Sequence, residues 1–259
     1  MQSTNVLVAI KNLYNIKDKT LSLGKSNSRN RVNSVGESLE EFIKDLFCNT
    51  LSETQDKHKI HANFFSYLGT KYSPPDIILN SSDAILVIST LNFDEPIRLY
   101  NPYPEDRLYA DSISVHEESR TCESWFDKDY LYIVGNIEGE NLLSLWLVYG
   151  DCCFSNREYY KELTTSTTDM QDFSTFNFAQ YCHIKHPIEL ISHTELLSEA
   201  AFVNVIMLKE KYSSFPANDR AFIEASTDKG YYVNDLLIHS PNNPSIMLDA
   251  KLISYQPIH

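Results

Sequence analysis

The residue best suited to chemistry in this chain is Asp76. It follows Pro74 and Pro75 and precedes a short apolar run at residues 77–79. A carboxylate at the mouth of a strand suits Mg²⁺, which prefers hard oxygen ligands and keeps several waters. A cation held there would help to orient an attacking water. The alternative is an ordinary turn aspartate after two prolines, so the sequence makes Asp76 a candidate metal ligand and no more.

The next apolar run, at residues 84–90, lacks the groups that would complete such a site. Residues two apart on a strand share a face, so an acid and a lysine at that spacing could both serve one cation. The run contains no Glu-x-Lys, and Leu86 and Ile88 share a face there. Neither side chain can bind a metal or stabilise developing negative charge. The run therefore indicates a buried central strand.

Acidic and basic groups from elsewhere could replace the missing pair. Glu40 lies four residues after Gly36, and Asp83 lies immediately before the second apolar run. The nearest lysines in the sequence are Lys44, Lys57 and Lys71. No spacing singles out one of these groups, and a solvated helix face is the alternative for Glu40 and its neighbour Glu41.

Local patterns predict an α/β or α+β chain with a mixed sheet flanked by helices, forming one domain over residues 1–259. Apolar residues at helical spacing predict an amphipathic helix over 36–47, and Ser34 with Glu37 is typical of a capping box. Further helices are predicted at 6–13 and 156–163, and a helix is one interpretation of 117–127. Strands are predicted at 63–68, 77–79 and 84–90, and a hairpin is predicted at 130–137 with 142–149. A Ser/Thr-rich stretch at 164–172 predicts a mobile loop.

Several segments together resemble the NgoPII-type type II restriction endonucleases. The similarity lies in residues 30–47, 65–69 (Phe-Ser-Tyr-Leu-Gly), 74–76 (Pro-Pro-Asp), 132–135 and 251–254. It extends from about residue 25 to 160 and over roughly the last 20 residues. The resemblance implies a PD-(D/E)xK nuclease fold, Mg²⁺ as cofactor and cleavage of double-stranded DNA at GGCC.

The resemblance also suggests which residues carry the site. It implies a metal-binding and catalytic role for Asp76 and a DNA-facing segment at Asn30, Arg31 and Asn33. Because helix acids reach the metal in related folds, Glu40 is the candidate for a relocated catalytic acid. Leu86 stands where the family has its metal-binding Glu, and Ile88 where it has its Lys.

This departure predicts a catalytically weak or inactive relative as the leading hypothesis. Two alternatives are an active nuclease with a relocated acid and lysine, and a non-catalytic interaction module on the same scaffold. The resemblance leaves a homodimer open.

Charge and composition bear on partners and location. The chain has 22 basic and 35 acidic residues and a net charge of −13. Such a field opposes DNA, and Glu105 and Asp106 add local repulsion, so weak duplex binding is expected. The sequence contains no membrane-spanning run and no signal-peptide pattern. Five cysteines without a Cys-x-x-Cys pair favour free thiols in a reducing cytoplasm.

Overall fold

The computed structural model describes residues 2–14, 31–52, 56–69, 74–91, 97–99, 104–112, 114–139, 141–166, 175–176, 188–190 and 201–257. The helices in these ranges are α1 (Val6–Leu13), α2 (Arg31–Cys48), α3 (Lys57–Phe64), α4 (Glu117–Thr121), α5 (Gly150–Cys153), α6 (Arg157–Ser166), α7 (Lys209–Ser214), α8 (Ala217–Glu224) and a 3-10 turn (Thr227–Lys229).

Most strands join one large mixed sheet. The strands are β1 (Phe65–Leu68), β2 (Ile77–Leu79), β3 (Ala84–Thr90), β4 (Ile97–Arg98), β5 (Arg107–Tyr109), β6 (Asp127–Glu138), β7 (Asn141–Tyr149), β8 (Thr175–Phe176), β9 (Ile188–Leu190), β10 (Val203–Leu208), β11 (Tyr231–Ser240) and β12 (Asn243–Tyr255). The sheet order is β1-β2-β3-β6-β7-β10-β12-β11-β9, with β5 beside β6 and a separate β4-β8 pair. This is a mixed α/β architecture consistent with the restriction-endonuclease-like fold.

The strands around Asp76 confirm the predicted pattern. β2 and β3 have the predicted bounds and pair antiparallel, with Ile77 opposite Ile85. β3 runs parallel to β6, and β6 and β7 form the predicted antiparallel hairpin. The apolar run of β3 packs into the core: Ala84, Ile85 and Leu86 are buried, and α2 packs against the strand.

The packing of α2 on the sheet is close. A Cβ on Gly36 would lie 3.7 Å from Ser89 Oγ, and one on Gly135 would lie 2.7 Å from Leu39 Cδ2. A side chain at position 135 of β6 would therefore displace the end of the Leu39 side chain, which packs directly on the sheet here. At the other end of α2, Asn12 of α1 donates a hydrogen bond to Leu46 O at 2.8 Å. The helix is thus held at both ends against the core.

Several predicted boundaries were wrong. α2 begins at Arg31, so position 34 lies within the helix and not at its N-cap. β1 begins at Phe65, because residues 63–64 belong to α3. The helix considered over 117–127 covers only Glu117–Thr121 (α4), and β6 already begins at Asp127.

The predicted loop at 164–172 was wrong for residues 164–166, which extend α6 because nothing in their sequence ends the helix earlier. Residues 167–172 lie outside the described ranges.

A charged cleft lies where β3 and β6 begin. Lys211 of α7 reaches Asp83 Oδ1 at 2.7 Å and Asp129 Oδ2 at 2.5 Å. Tyr149 also donates to Asp83 Oδ2 at 2.6 Å. Burial disfavours the charged amine, but the two aspartates outweigh it and raise the pKa of Lys211. This network ties a helix late in the sequence to two central strands.

None of the helices within the described ranges is both long enough and apolar enough to cross a membrane.

Candidate functional site

The main chain holds Asp76 from both sides. Its N–H donates to Ile85 O at 3.0 Å, and its carbonyl accepts from Gly69 N–H at 2.6 Å. A Cβ on Gly69 would lie only 2.5 Å from Pro75 O, so a side chain at this position would displace the segment. The glycine that ends the Phe-Ser-Tyr-Leu-Gly segment therefore fixes the position of Asp76.

The Asp76 carboxylate lies against the edge of β3. Val87 N–H donates to Asp76 Oδ2 at 2.6 Å. This N–H is available because β2 begins at Ile77, opposite Ile85, and so does not extend to the level of Val87. A buried N–H needs an acceptor, and the aspartate side chain supplies one where the ladder has ended.

Helix α2 brings an acid and a lysine to the same place. Lys44 Nζ lies 2.6 Å from Glu40 Oε1 and 3.7 Å from Glu41 Oε2. The side chains of Lys44 and Glu40 are only 14% and 23% exposed. Both charges act on Asp76, where Glu40 opposes and Lys44 favours ionisation. An i, i+4 pair on one helix turn thus lies close enough to act electrostatically on the partly buried carboxylate of Asp76.

The electrostatic setting of Asp76 favours a cation. Burial is the largest effect on its pKa; the Val87 hydrogen bond counteracts it, Glu40 reinforces it and Lys44 opposes it. The result raises the pKa of Asp76 to about 7. A carboxyl whose pKa is raised in this way, beside a second acid, gains from a bound positive ion that compensates the charge.

The donor set fits Mg²⁺. Val87 engages Oδ2 of Asp76, and Lys44 engages Oε1 of Glu40, so Asp76 Oδ1 and Glu40 Oε2 are the candidate ligand atoms. Two carboxylates with several retained waters are an ordinary Mg²⁺ environment.

The face of β3 that carries Leu86 is filled. Leu86 is 5% exposed and borders a cavity of about 20 Å³. Such a volume holds about one water. The other lining residues are Pro74, Leu99, Pro104, Glu105, Leu108, Ser114, Tyr130 and Tyr132. Ile88 is only partly buried. The structure therefore has no room at position 86 for a hydrated acid.

The remaining sequence candidates are distributed elsewhere. Asp83 is taken up by Lys211 and Tyr149 in the charged cleft, and Lys57 pairs with Asp45. Arg31 and Asn33 lie in the first turn of α2, upstream of Glu40 on the same helix. Asn30 and Lys71 lie outside the described residues.

Sequence reasoning missed two tyrosines near the candidate site. Tyr67 of β1 and Tyr130 of β6 both have pKa values raised mainly by burial, with a contribution from the charge of Asp76. No local spacing connects them with Asp76, because strand pairing alone brings these positions together. Glu40 with Lys44 carried a usable signal in its i, i+4 spacing, which places two side chains on one helix face.

Comparison with known proteins agrees with this architecture. The model of the NgoPII restriction endonuclease family matches residues 4–181. The type II restriction enzyme NgoPII of Neisseria gonorrhoeae is 30% identical over an alignment of 279 residues, which covers 97% of this chain and 99% of that enzyme. No solved structure shows a significant match. The chain belongs to the NgoPII restriction endonuclease family.

Proposed function

We propose that the protein is a Mg²⁺-dependent type II restriction endonuclease whose acid and lysine are Glu40 and Lys44 of α2. The observation that supports this is the Glu40–Lys44 pair, with Nζ 2.6 Å from Oε1, acting electrostatically on partly buried Asp76. The helix pair supplies the same two chemical groups that β3 lacks at Leu86 and Ile88.

Each group has a distinct role in this proposal. Asp76 and Glu40 hold Mg²⁺, which when bound polarises the phosphate and lowers the pKa of a coordinated water. Lys44 places its charge where negative charge develops on the phosphate during attack. Asn30, Arg31 and Asn33, which precede these residues on or next to α2, contact the DNA backbone or base edges.

Double-stranded DNA containing GGCC is the proposed substrate. A homodimer provides one site for each strand of the duplex, and the cytoplasm is the proposed location. Buried Cys48 and Cys152 are free thiols, which is consistent with a reducing compartment.

A catalytically weak or inactive relative is the second candidate. It is favoured by the buried Leu86, which is 5% exposed, and by the direct engagement of Glu40 Oε1 by Lys44. If this pair does not open when metal and DNA arrive, the residues stabilise α2 and leave Asp76 without a partner acid. The scaffold would then serve as a DNA-binding or protein-interaction module.

A cleavage assay on GGCC-containing duplex with Mg²⁺ separates these candidates. We expect site-specific cleavage that falls at least about 100-fold in Asp76→Ala, Glu40→Gln and Lys44→Met, because each removes a group acting on the reacting phosphate. Lys59→Met is the matched control, since the Lys59 side chain is 79% exposed and its ion pair is with Asp56.

Two results would contradict the relocated-site proposal. One is a wild-type protein that does not cleave, and the other is a Lys44→Met variant as active as wild type. In the first case, duplex binding measured across salt concentrations distinguishes an inactive DNA binder from an interaction module.

A further inference from the structure

We propose that the hydroxyls of Tyr67 and Tyr130 bind a phosphate group beside Asp76, each donating a hydrogen bond to a phosphate oxygen. Their role in cleavage rests on the proposed function, whereas phosphate binding by these hydroxyls can be measured without it. The two phenols complement Asp76, Glu40 and Lys44 and replace none of them.

Strand pairing places the two tyrosines on one face of the sheet, one on each side of the β2–β3 pair. Tyr67 of β1 pairs with Ile78 of β2, Ile78 pairs with Ala84 of β3, and Ala84 pairs with Tyr130 of β6. Directly paired residues point to the same face of a sheet, so these four side chains form one row. Neighbouring strands lie about 4.8 Å apart, so the two tyrosine Cα atoms are separated by roughly 14 Å. Asp76 lies immediately before β2, which runs between the two tyrosines.

The charge of Asp76 acts on both phenols. Burial makes the largest contribution to raising the pKa of each, and Asp76 adds to it in both, after Glu118 in the case of Tyr67. Raised pKa values keep both hydroxyls protonated at neutral pH, so each can donate a hydrogen bond. A neutral phenol is a poor ligand for Mg²⁺, which prefers carboxylate, phosphate and water oxygens. The ligand that suits two such donors is therefore an anion.

Neither hydroxyl has a hydrogen-bond partner among the residues that the structure describes. Tyr67 and Tyr130 are only 8% and 6% exposed, and the hydroxyl of a buried tyrosine usually has a partner. Tyr132, the next residue on this face of β6, donates to Glu105 O at 2.8 Å. In the described part of the chain, the fully buried side-chain polar atom without a partner is Nδ2 of Asn234. The two phenol oxygens must therefore reach solvent, where a ligand can meet them.

Packing of the rings does not account for the hydroxyls. The Tyr130 ring lies 4.7 Å from the Tyr132 ring, measured between centroids, and phenylalanine would make the same contact. Side chains of β3 from Ala84 to Ile88 are all apolar, and Leu86 shares the face of Ala84. The phenols thus supply hydrogen-bond donors on a face where this part of β3 offers none.

Replacing each tyrosine with phenylalanine removes the hydroxyl and keeps the ring. We expect kcat for cleavage of GGCC duplex with Mg²⁺ to fall about 10-fold or more in Tyr67→Phe and in Tyr130→Phe, because hydrogen bonds to charged groups are typically worth about that factor or more. KM should change little, since these bonds strengthen as negative charge develops on the phosphate.

Tyr255 provides the matched control for cleavage. It is also 6% exposed, and its hydroxyl has no partner within the described ranges. Its ring stacks on Tyr231 at 4.6 Å between centroids, and β3, β6, β7 and β10 separate its strand from β2 in the sheet. Tyr255→Phe should therefore cleave at the wild-type rate.

Thermal denaturation separates binding from a structural role. Tyr67→Phe and Tyr130→Phe should melt at the wild-type temperature, because the free protein loses no hydrogen bond. Tyr132→Phe loses the bond to Glu105 O and should melt at a lower temperature.

Fluorine NMR of protein labelled with 3-fluorotyrosine gives a readout besides cleavage. The resonances of Tyr67, Tyr130 and Tyr255 are assigned by their loss in the phenylalanine variants. Inorganic phosphate added with Mg²⁺ should shift the resonances of Tyr67 and Tyr130 and leave that of Tyr255 in place. The same titration of Asp76→Asn should produce no shift, because the cation that holds the phosphate there is lost.

The outcomes separate phosphate binding by the phenols from the proposed function. If wild type cleaves and both phenylalanine variants cleave as fast, the phenols do not contact the phosphate and the proposed function stands. A fall in the melting temperature of Tyr67→Phe and Tyr130→Phe as large as that of Tyr132→Phe would assign their hydroxyls to the fold. If wild type does not cleave, the proposed function fails and the fluorine titration alone decides phosphate binding. Resonances of Tyr67 and Tyr130 that do not respond to phosphate would then overturn both.

Discussion

At the scale of single residues, Asp76 is held in a position that disfavours its own charge. Val87 N–H and the charge of Lys44 favour the carboxylate, but burial and Glu40 prevail and raise its pKa to about 7. An aspartate placed this way lowers the stability of the empty protein at neutral pH. The same placement is the reason why we propose Asp76 as a ligand for a cation.

This balance predicts a pH dependence that Asp76→Asn removes. The pKa in the folded protein, about 7, lies above the ordinary value of 3.8, so between these values the folded state binds more protons than the unfolded state. The contribution of this group is therefore present at low pH and is lost as pH rises towards 7. Wild type should lose stability relative to Asp76→Asn between pH 5 and pH 8, by at most roughly 1.4 kcal/mol for each pH unit below the folded-state pKa.

Urea denaturation of both proteins at the two pH values measures this difference. Other buried acids titrate in both proteins, notably Asp151 with a pKa of about 6, so only the difference between the proteins reports on Asp76. Added Mg²⁺ should stabilise the wild-type protein at pH 8 but should not stabilise Asp76→Asn, because a ligand stabilises the state that binds it. If both proteins lost stability equally between the two pH values, the pKa of Asp76 would not be raised in the folded protein.

At the scale of elements, the edge of β3 and the face that carries Leu86 serve different purposes. The edge of β3 supplies the Val87 N–H that binds Asp76, while Leu86 packs into the core beside Tyr130 and Tyr132. Restoring a family-like acid and lysine on β3 would therefore place the acid in a filled space.

We predict that Leu86→Glu/Ile88→Lys is strongly destabilised and that Leu86→Glu accounts for most of the loss. An unpaired carboxylate at a position that is 5% exposed costs several kcal/mol, out of a typical domain stability of about 5–15 kcal/mol. Ile88→Lys alone should be mild, because the partly buried side chain lets a lysine reach solvent. Thermal denaturation of both single variants and the double variant decides this. A double variant that melts near the wild-type temperature would mean that the cleft is open.

The charged cleft joins elements that are distant in the sequence. Replacing Lys211 by Met leaves Asp83, whose side chain is 3% exposed, with Tyr149 but without its cation. Removing one partner of a buried pair costs about 3–5 kcal/mol, so the melting temperature should fall by many degrees. Lys209→Met, at the solvent-exposed first position of the same helix, should melt close to wild type. An equal, small change in both variants would show that the cleft contributes little.

At the scale of the whole molecule, the net charge of −13 opposes the substrate of this family. Phosphate neutralisation drives most duplex binding, and here 22 basic residues must act against 35 acidic ones. We therefore expect any DNA-binding surface to be small and local, and α2 with the residues that precede it in the sequence is the proposed place for it.

We predict weak specific duplex binding at physiological salt and a shallow dependence of affinity on salt concentration, because few phosphates can be neutralised. Binding of GGCC duplex measured by fluorescence anisotropy at several salt concentrations, without Mg²⁺ to prevent cleavage, provides the check. A duplex of equal length without GGCC is the control. Tight specific binding that persists at high salt would reveal a concentrated basic cleft.

The sequence by itself determined the local elements around Asp76. The apolar runs of β2 and β3, the periodicity of α2 and the hairpin β6–β7 arise from neighbouring residues, so pattern and turn chemistry were sufficient to predict them. Boundaries were less well determined, as at Ser34, because tertiary contacts extend or shorten a helix beyond its local signals.

Only the tertiary structure decided which acid and lysine accompany Asp76. From the sequence, Glu40 was the favoured acid over Asp83, and Lys44, Lys57 and Lys71 were the nearest lysines. The i, i+4 spacing of Glu40 and Lys44 places them on one helix face but does not show that this face meets Asp76. The packing of α2 against β3 brings Glu40 and Lys44 near Asp76. Asp83 instead pairs with Lys211 of α7, and Lys57 pairs with Asp45. A charged side chain pairs with whichever opposite charge the fold brings within a few ångströms, because the electrostatic interaction depends on distance in space and on burial. Separation along the chain does not record either quantity.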